Sequence, residues 1–304
     1  MKFRRQYVGI DVHQDGLTLA ALQCERSACQ LAAVRLENLH GVFEFSSQKP
    51  NIVDARRFVE AARRGVDGFS SPVEQIALSL PDRVGRLYLT DVDVPFQSQQ
   101  EGVDILKWRL KGSLPAEPAQ VQLDYQIVEK REDGRRRCVV AAVALPVVEQ
   151  YENLLNEVSL HPVSINFHSL NLYNFYHTRL ELGEEFVLVG LEADGMTLQY
   201  FSGKTLKYQR VRHGAMDPEK LFRELNRTLA EACKTFPAIR RCPAYAHLDE
   251  KFAGETQDLL SASLERDIKI LDPQFKRLMN DQTLNHLPPE GTVAAAFAAA
   301  ENLV

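Results

Sequence analysis

A buried-type strand, a tight polar turn and a second strand follow one another at two places in this sequence, and each time a third strand comes next. The first instance runs Tyr7 to Val12, the turn His13, Gln14, Asp15 and Gly16, then Leu17 to Gln23 and Leu31 to Glu37. The second runs Phe186 to Leu191, an Asp194-Gly195 turn, Met196 to Phe201, and Lys204 to Arg212. Turn-forming residues between β-rich apolar runs are the signature of a meander, and a meander repeated at long range predicts two related lobes. At 304 residues, 45% hydrophobic and 25% charged, the chain is long enough for two sizeable cores. The lobe boundary falls near Glu184, giving a first lobe over 1–183 and a second over 184–304.

Within the first lobe, Phe58, Ala61, Ala62 and Val66 recur at helical spacing, and Gln75 to Leu80 reads as a buried strand ended by Pro81. The rhythm then changes over about 86–160. Strand Arg86 to Val94, helix Ser98 to Lys111, strands Val121 to Arg131 and Arg136 to Leu145, and helix Val147 to Val158 form a β-α-β-β-α unit. Asp133 and Gly134 supply its hairpin turn, because an Asp-Gly pair tolerates positive φ. Strand Val163 to Phe167 and helix Leu170 to Leu180 return to the lobe, so the unit reads as an inserted subdomain. The second lobe continues with helix Pro218 to Thr235, whose Leu221, Phe222, Leu225, Leu229 and Cys233 form a stripe. Strand Cys242 to His247, helix Phe252 to Leu264, strand Asp267 to Leu271 and an Ala-rich helix Thr292 to Leu303 close it.

Several functions are disfavoured. A net charge of -5 gives no basic footprint for nucleic acid. Cys24, Cys29, Cys138, Cys233 and Cys242 are scattered, without zinc-ligand spacing, and are expected to be reduced thiols in a cytosolic protein with no metal. The amino-terminal MKFRRQYVGIDV turns polar too soon for a signal peptide, and no apolar run approaches ~20 residues. Membrane association is therefore expected only through partners or a surface. No GxSxG, GxxxxGK[ST] or HExxH occurs, and no catalytic residue is assigned. Asp91 and Asp93 share a strand face and read as surface. Lys130, Arg131, Arg135, Arg136 and Arg137, with Lys2, Arg4 and Arg5, form a basic tip that is either solvated or set against acidic headgroups or an acidic partner. Trp108 lies off the Val103, Leu106, Leu110 stripe, either as a partner anchor or packed on a strand.

Three runs carry a family resemblance: YVGIDVHQDGLTLAAL (Tyr7 to Leu22), the stretch Gln122 to Asn166, and VLVGLEADGMTLQYF (Val187 to Phe201). In order and spacing they resemble the first phosphate loop, inserted subdomain and second phosphate loop of the actin-like ATPase superfamily, and more narrowly the PilM-like proteins of type IV pilus assembly. The resemblance implies an α/β, ribonuclease H-like fold of two lobes, with the β-α-β-β-α subdomain in the first and a reduced second lobe. FtsA-like division proteins share the architecture. So does the cytoplasmic half of GspL-type secretion proteins, which continues into a transmembrane helix; this chain ends at Val304 without one, which favours the PilM side.

The departures from the family pattern imply a vestigial nucleotide cleft at Asp11, His13, Thr18, Glu192 and Asp194. His13 stands where a glycine lets the backbone approach phosphate, and Thr18 where a lysine is usual. Gly190, Leu191 and Glu192 replace Asp-x-Gly, and Cys242, Pro243, Ala244 and Tyr245 replace a Gly-Gly pair. Between Gly214 and Pro218 there is no room for a small fourth subdomain. Asp11 reads either as a leftover metal-site carboxylate or, preferably, as a cap on the following turn. His13 and Glu192 read as facing water, or as a new site across the cleft.

No cofactor is therefore expected, with ATP and magnesium as the alternative. By resemblance the chain is a cytoplasmic scaffold, peripheral to the inner membrane, that binds the amino-terminal segment of a PilN-like membrane protein and other pilus or secretion components. The expected groove walls are Leu87 and Leu89 on the strand through Val94, with Asp124 and Tyr125. Competing readings are an ATP-operated switch or weak ATPase, a GspL-like scaffold, and a head-to-tail polymer.

Overall fold

Strand β1 (Gln6–His13) turns back antiparallel into β2 (Gly16–Glu25), and β2 into β3 (Ala28–Asn38), in the computed structural model of the chain. The structure describes residues 6–25, 28–192, 195–215, 217–249, 252, 255–279 and 290–304. Lys2, Arg4, Arg5 and Asp194, named above, lie outside them. Helix α1 (Ala55–Asp67) starts on Asp54, whose carboxylate accepts from the Arg57 backbone N–H at 3.1 Å, and buries Phe58, Ala61, Ala62 and Gly65. It leads to β4 (Gln75–Leu80), which pairs parallel with β1.

The inserted subdomain follows as β5 (Gly85–Val92), α2 (Gln99–Arg109), β6 (Val121–Lys130), β7 (Arg136–Ala144) and α3 (Leu145–Asn156). Its sheet has the order β5-β7-β6, so β6 is an edge strand. β8 (His161–Phe167) and α4 (His168–His177) return to the first sheet, whose order is β3-β2-β1-β4-β8. The second lobe contains β9 (Glu185–Glu192), β10 (Gly195–Ser202), β11 (Thr205–His213), α5 (Pro218–Thr235), β12 (Ala244–Leu248), α6 (Glu255–Leu264) and β13 (Lys269–Ile270), and α7 (Glu290–Glu301) ends the chain. Its sheet order, β11-β10-β9-β12-β13, repeats the first: a meander whose leading strand pairs parallel with the strand after the next helix.

Four apolar cores follow from this layering. One lies under α1 and α3 and includes Phe58, Leu78, Val147 and Tyr151; one lies in the second lobe under α5 and α6; one fills the inserted subdomain around Leu106 and Val140. The fourth joins the lobes. In it α4 and α7 pack between the sheets, with Phe175, Phe275 and Phe297 in edge and tilted contact.

Three expectations are corrected here. The Ala-rich helix, placed by chain order in the second lobe, lies against the first lobe's β1. A Cβ on Gly9 would sit 2.0 Å from the Ala296 carbonyl oxygen, so the glycine admits the helix backbone and the alanines keep the approach close. Phe222, assigned to the buried stripe of α5, is 45% exposed, because the buried face runs through Leu221, Leu225, Thr228, Leu229 and Ala232. Cys24 and Cys29 are not free thiols: they stand opposite each other across β2 and β3 and form a disulfide, whereas Cys138, Cys233 and Cys242 are free.

Candidate functional site

Side chains at the ends of the two leading strands, β1 and β9, come together between the lobes. Asp11 is opposite Thr18 in the β1–β2 register, and both side chains are buried. Glu192 ends β9 in the second lobe. His168, the first residue of α4, stands between the two carboxylates. Its Nδ1 is 2.8 Å from Asp11 Oδ1 and its Nε2 is 3.3 Å from Glu192 Oε1, the second an ionic contact outside hydrogen-bond alignment. Burial alone would lower the histidine's pKa, but Asp11 and then Glu192 outweigh it and raise it well above its ordinary value. His168 thus ties β1 of the first lobe to β9 of the second across the cleft.

A second network crosses beside it. Asp82, in the short 3₁₀ turn after β4, accepts from the Ser169 backbone N–H at 3.0 Å and from the Ser169 hydroxyl. From the second lobe, Gln209 Nε2 reaches Asp82 at 3.2 Å, and Gln199 Nε2 reaches Gln209 Oε1 at 3.2 Å. Burial pushes the Asp82 carboxyl up, while the bonds from Ser169 hold it down in part. The crevice between Pro81–Arg83 and the residues around Glu192, Thr197 and Arg212 has a volume of about 20 Å³. Small-molecule pockets usually offer roughly 300 Å³ or more.

His13 points into the same region. Its Nε2 is 3.3 Å from Thr18 Oγ1, and burial lowers its pKa, opposed by the charges of Asp11 and Asp249. Asp11, read as a turn cap, is instead the partner of His168. Glu192, read with His13 as facing water or as a new site, meets His168 rather than His13.

Another reading also fails. Cys242 to Tyr245 do not occupy the nucleotide-facing position of a Gly-Gly pair. β12 runs parallel to β9 with Leu248 beside Leu191, so its carboxyl end, at His247 and Asp249, faces the cleft and Cys242 lies at the far end. The direct passage from β11, ending at His213, to α5, starting at Pro218, agrees with a reduced second lobe.

A larger space lies where the inserted subdomain, the first sheet and the second lobe meet. This groove, about 730 Å³, has Asp124 to Val128 of edge strand β6 along one side and Ser164 to Asn166 of edge strand β8 along another. Leu87, Val139 and Ala141 form its apolar floor, and Tyr173, Phe201 and Leu206 face them. Leu87, Asp124 and Tyr125 are on its wall; Leu89 packs instead against the core that joins the lobes. Tyr125 also packs edge-on against Phe96 at 5.0 Å, and Asp124 accepts from Gln99 at 2.9 Å, so α2 braces the β6 edge.

The remaining surface candidates divide: the acidic pair and basic tip are partly closed by ion pairs, and Trp108 is open. Asp91 pairs with Arg137 at 3.0 Å and Arg131 at 3.3 Å, and Asp133 with Arg135 at 2.5 Å, so much of the basic tip is neutralised internally. Trp108 is 81% exposed.

Two facing lobes of repeated hairpin-led topology, with a β-α-β-β-α insertion in the first, define an actin-like ATPase fold. The solved structures this chain is similar to include one described as having that fold. A chain of the PilM-PilN type IV pilus biogenesis complex is 17% identical with a TM-score of 0.76, over 98% of each chain. A Bacteroides thetaiotaomicron protein with an actin-like ATPase fold and unknown function gives 0.55 at 10% identity, over 92% of this chain and 94% of that one. The cytoplasmic domain of EpsL, an inner membrane component of the type II secretion system of Vibrio cholerae, gives 0.54 at 10% identity, over 98% and 95%. No family model and no curated protein matches the sequence. At these identities the likeness is one of fold.

Proposed function

We propose that this chain is a non-catalytic scaffold of a type IV pilus or related secretion machine, and that its groove holds the cytoplasmic amino-terminal segment of a PilN-like inner-membrane protein. The observation that carries the reading is the contrast between the two inter-lobe spaces. At the cleft His168 joins Asp11 to Glu192 and the crevice between Pro81–Arg83 and Glu192 holds about 20 Å³ among the described residues, whereas the groove beside β6 offers about 730 Å³ along an edge strand. An extended segment lying there gains main-chain hydrogen bonds from the edge and side-chain pockets from Leu87, Val139 and Phe201.

Likeness to a chain of a PilM-PilN complex supports the choice of partner, and likeness to the EpsL cytoplasmic domain supports a secretion machine as the alternative setting. Among the described residues no helix is long and apolar enough to cross a membrane, so the inner-membrane location rests on the partner. The first lobe is 1–183 with its inserted subdomain at about 86–160, and the second begins near Glu184, with α7 returning to the first.

The test is a fluorescence-anisotropy titration of the chain into a labelled synthetic peptide matching the amino-terminal segment of a PilN-like protein. Saturable binding that Val139→Arg abolishes and Trp108→Ala leaves alone is expected. Absence of binding by the unaltered chain, or equal binding by Val139→Arg, sinks the proposal. An ATP-operated switch or weak ATPase requires the Asp11–His168–Glu192 tie to open and the crevice to widen.

A further inference from the structure

Arg266, two residues beyond α6, carries a guanidinium whose Nε and Nη2 are both buried and have no hydrogen-bond partner. Among the described residues no carboxylate pairs with it. Cys233 lines the same cavity, and burial pulls the arginine's pKa below the ordinary value, opposed by Cys242 and Cys233. A guanidinium stays charged under any physiological condition, so it cannot escape burial by losing its proton as a lysine can. Arg266 is half-buried, and its two buried N–H-bearing nitrogens without a partner call for an acceptor, best an anion.

The place for one is beside it. A cavity of about 180 Å³ opens between the carboxyl-terminal halves of α5 and α6, lined by Arg266, Asn226, Ser263 and Arg240 among others. Arg240 is exposed at the rim and adds a second positive charge; Glu265, also exposed, is the one acidic residue of the lining. The Ser263 hydroxyl donates to the Leu259 carbonyl at 3.0 Å, which leaves its oxygen lone pairs and the arginine N–H groups as the polar lining. The volume suits one phosphate or one carboxylate and is too small for a nucleotide. The site is also remote from the cleft, since Cys242 lies at the end of β12 away from Glu192.

We propose that this cavity is an oxyanion site, in which the Arg266 fork takes a single phosphate or carboxylate with Arg240 as the second cation. It does not depend on the groove reading. Planar two-point recognition of this kind is what a guanidinium does best. The anion is either free in solution or the side chain of an acidic residue on a bound protein segment, and both present the same two oxygens.

The experiment is a thermal melt of the full chain in inorganic phosphate and, separately, in N-acetyl-aspartate, against sodium chloride of matched ionic strength. A rise of several degrees over chloride in at least one of the two is expected for the unaltered chain, and no such rise for Arg266→Met. In chloride alone, Arg266→Met should melt no lower than the unaltered chain, because it removes buried guanidinium nitrogens that have no partner. A larger shift with phosphate points to a free anion, and one with N-acetyl-aspartate to an acidic peptide side chain. Should Arg266→Met fail to fold, Arg240→Met at the rim supplies the comparison and should lose most of the shift. No shift with either anion, or a shift that both variants keep, overturns the proposal.

Discussion

The Nδ1 of His168 lies 2.8 Å from Oδ1 of Asp11, across a sequence separation of 157 residues, in a position where the histidine also reaches Glu192 of the opposite lobe. The cleft of an actin-like fold is thus tied by a side chain of the protein itself. His168→Leu leaves two carboxylates facing one another without their cation. Breaking a buried pair from one side typically costs about 3–5 kcal/mol, and urea denaturation should show a loss of that order. Adding Asp11→Asn and Glu192→Gln to His168→Leu should recover much of it; no recovery would mean that the histidine acts through packing alone.

Stability should depend on pH in a direction set by the same residue. The folded pKa of His168 is raised, so its contribution is complete below the unfolded value of 6.5 and is lost as pH rises through the folded one. His13 has the opposite sign: its folded pKa is lowered, and its neutral form is penalised as pH falls below 6.5. Asp82, raised by burial, also favours the protonated fold. Above neutrality the unaltered chain should lose stability with rising pH, and His168→Gln should flatten that slope in denaturant titrations at pH 7 and 9. An unchanged slope would remove His168 as the titrating group.

Gly9→Ala tests how the last helix is held. The new Cβ would meet the Ala296 carbonyl oxygen at 2.0 Å and the Ala300 amide nitrogen at 2.5 Å. Both are backbone atoms, so a cost of about 3 kcal/mol is expected, at the upper end of ordinary overpacking. Ala296→Gly should not rescue it, because the obstacle is not a side chain. Rescue would show that the helix shifts more freely than its buried alanines imply.

What the sequence disclosed divides by range. The two hairpins were legible because strand, turn and strand are consecutive, and Asp11 and Glu192 stood out at their ends. His168 was not: it falls at the junction of β8 and α4, in no periodic pattern, and its role exists only once two distant hairpins meet. Ser164 to Asn166, Phe201 and Lys204 to Leu206 likewise became groove walls only when three units packed together. Cys242 to Tyr245 were misplaced because strand direction, which decides which end of β12 faces the cleft, is not written in local composition. The closing helix was assigned by chain order, whereas its alanines seat it against Gly9, near the opposite end of the chain.

The most direct measurement is a thermal melt of the purified chain with and without millimolar Mg-ATP. A ligand that binds only the folded state stabilises it by about 2.7 kcal/mol at 100 times its dissociation constant, which moves the midpoint of a chain this size by several degrees. With His168 seated between Asp11 and Glu192, the midpoint should not move. A rise of several degrees would show that the tie gives way to nucleotide, and would contradict the reading of the cleft as closed by its own histidine.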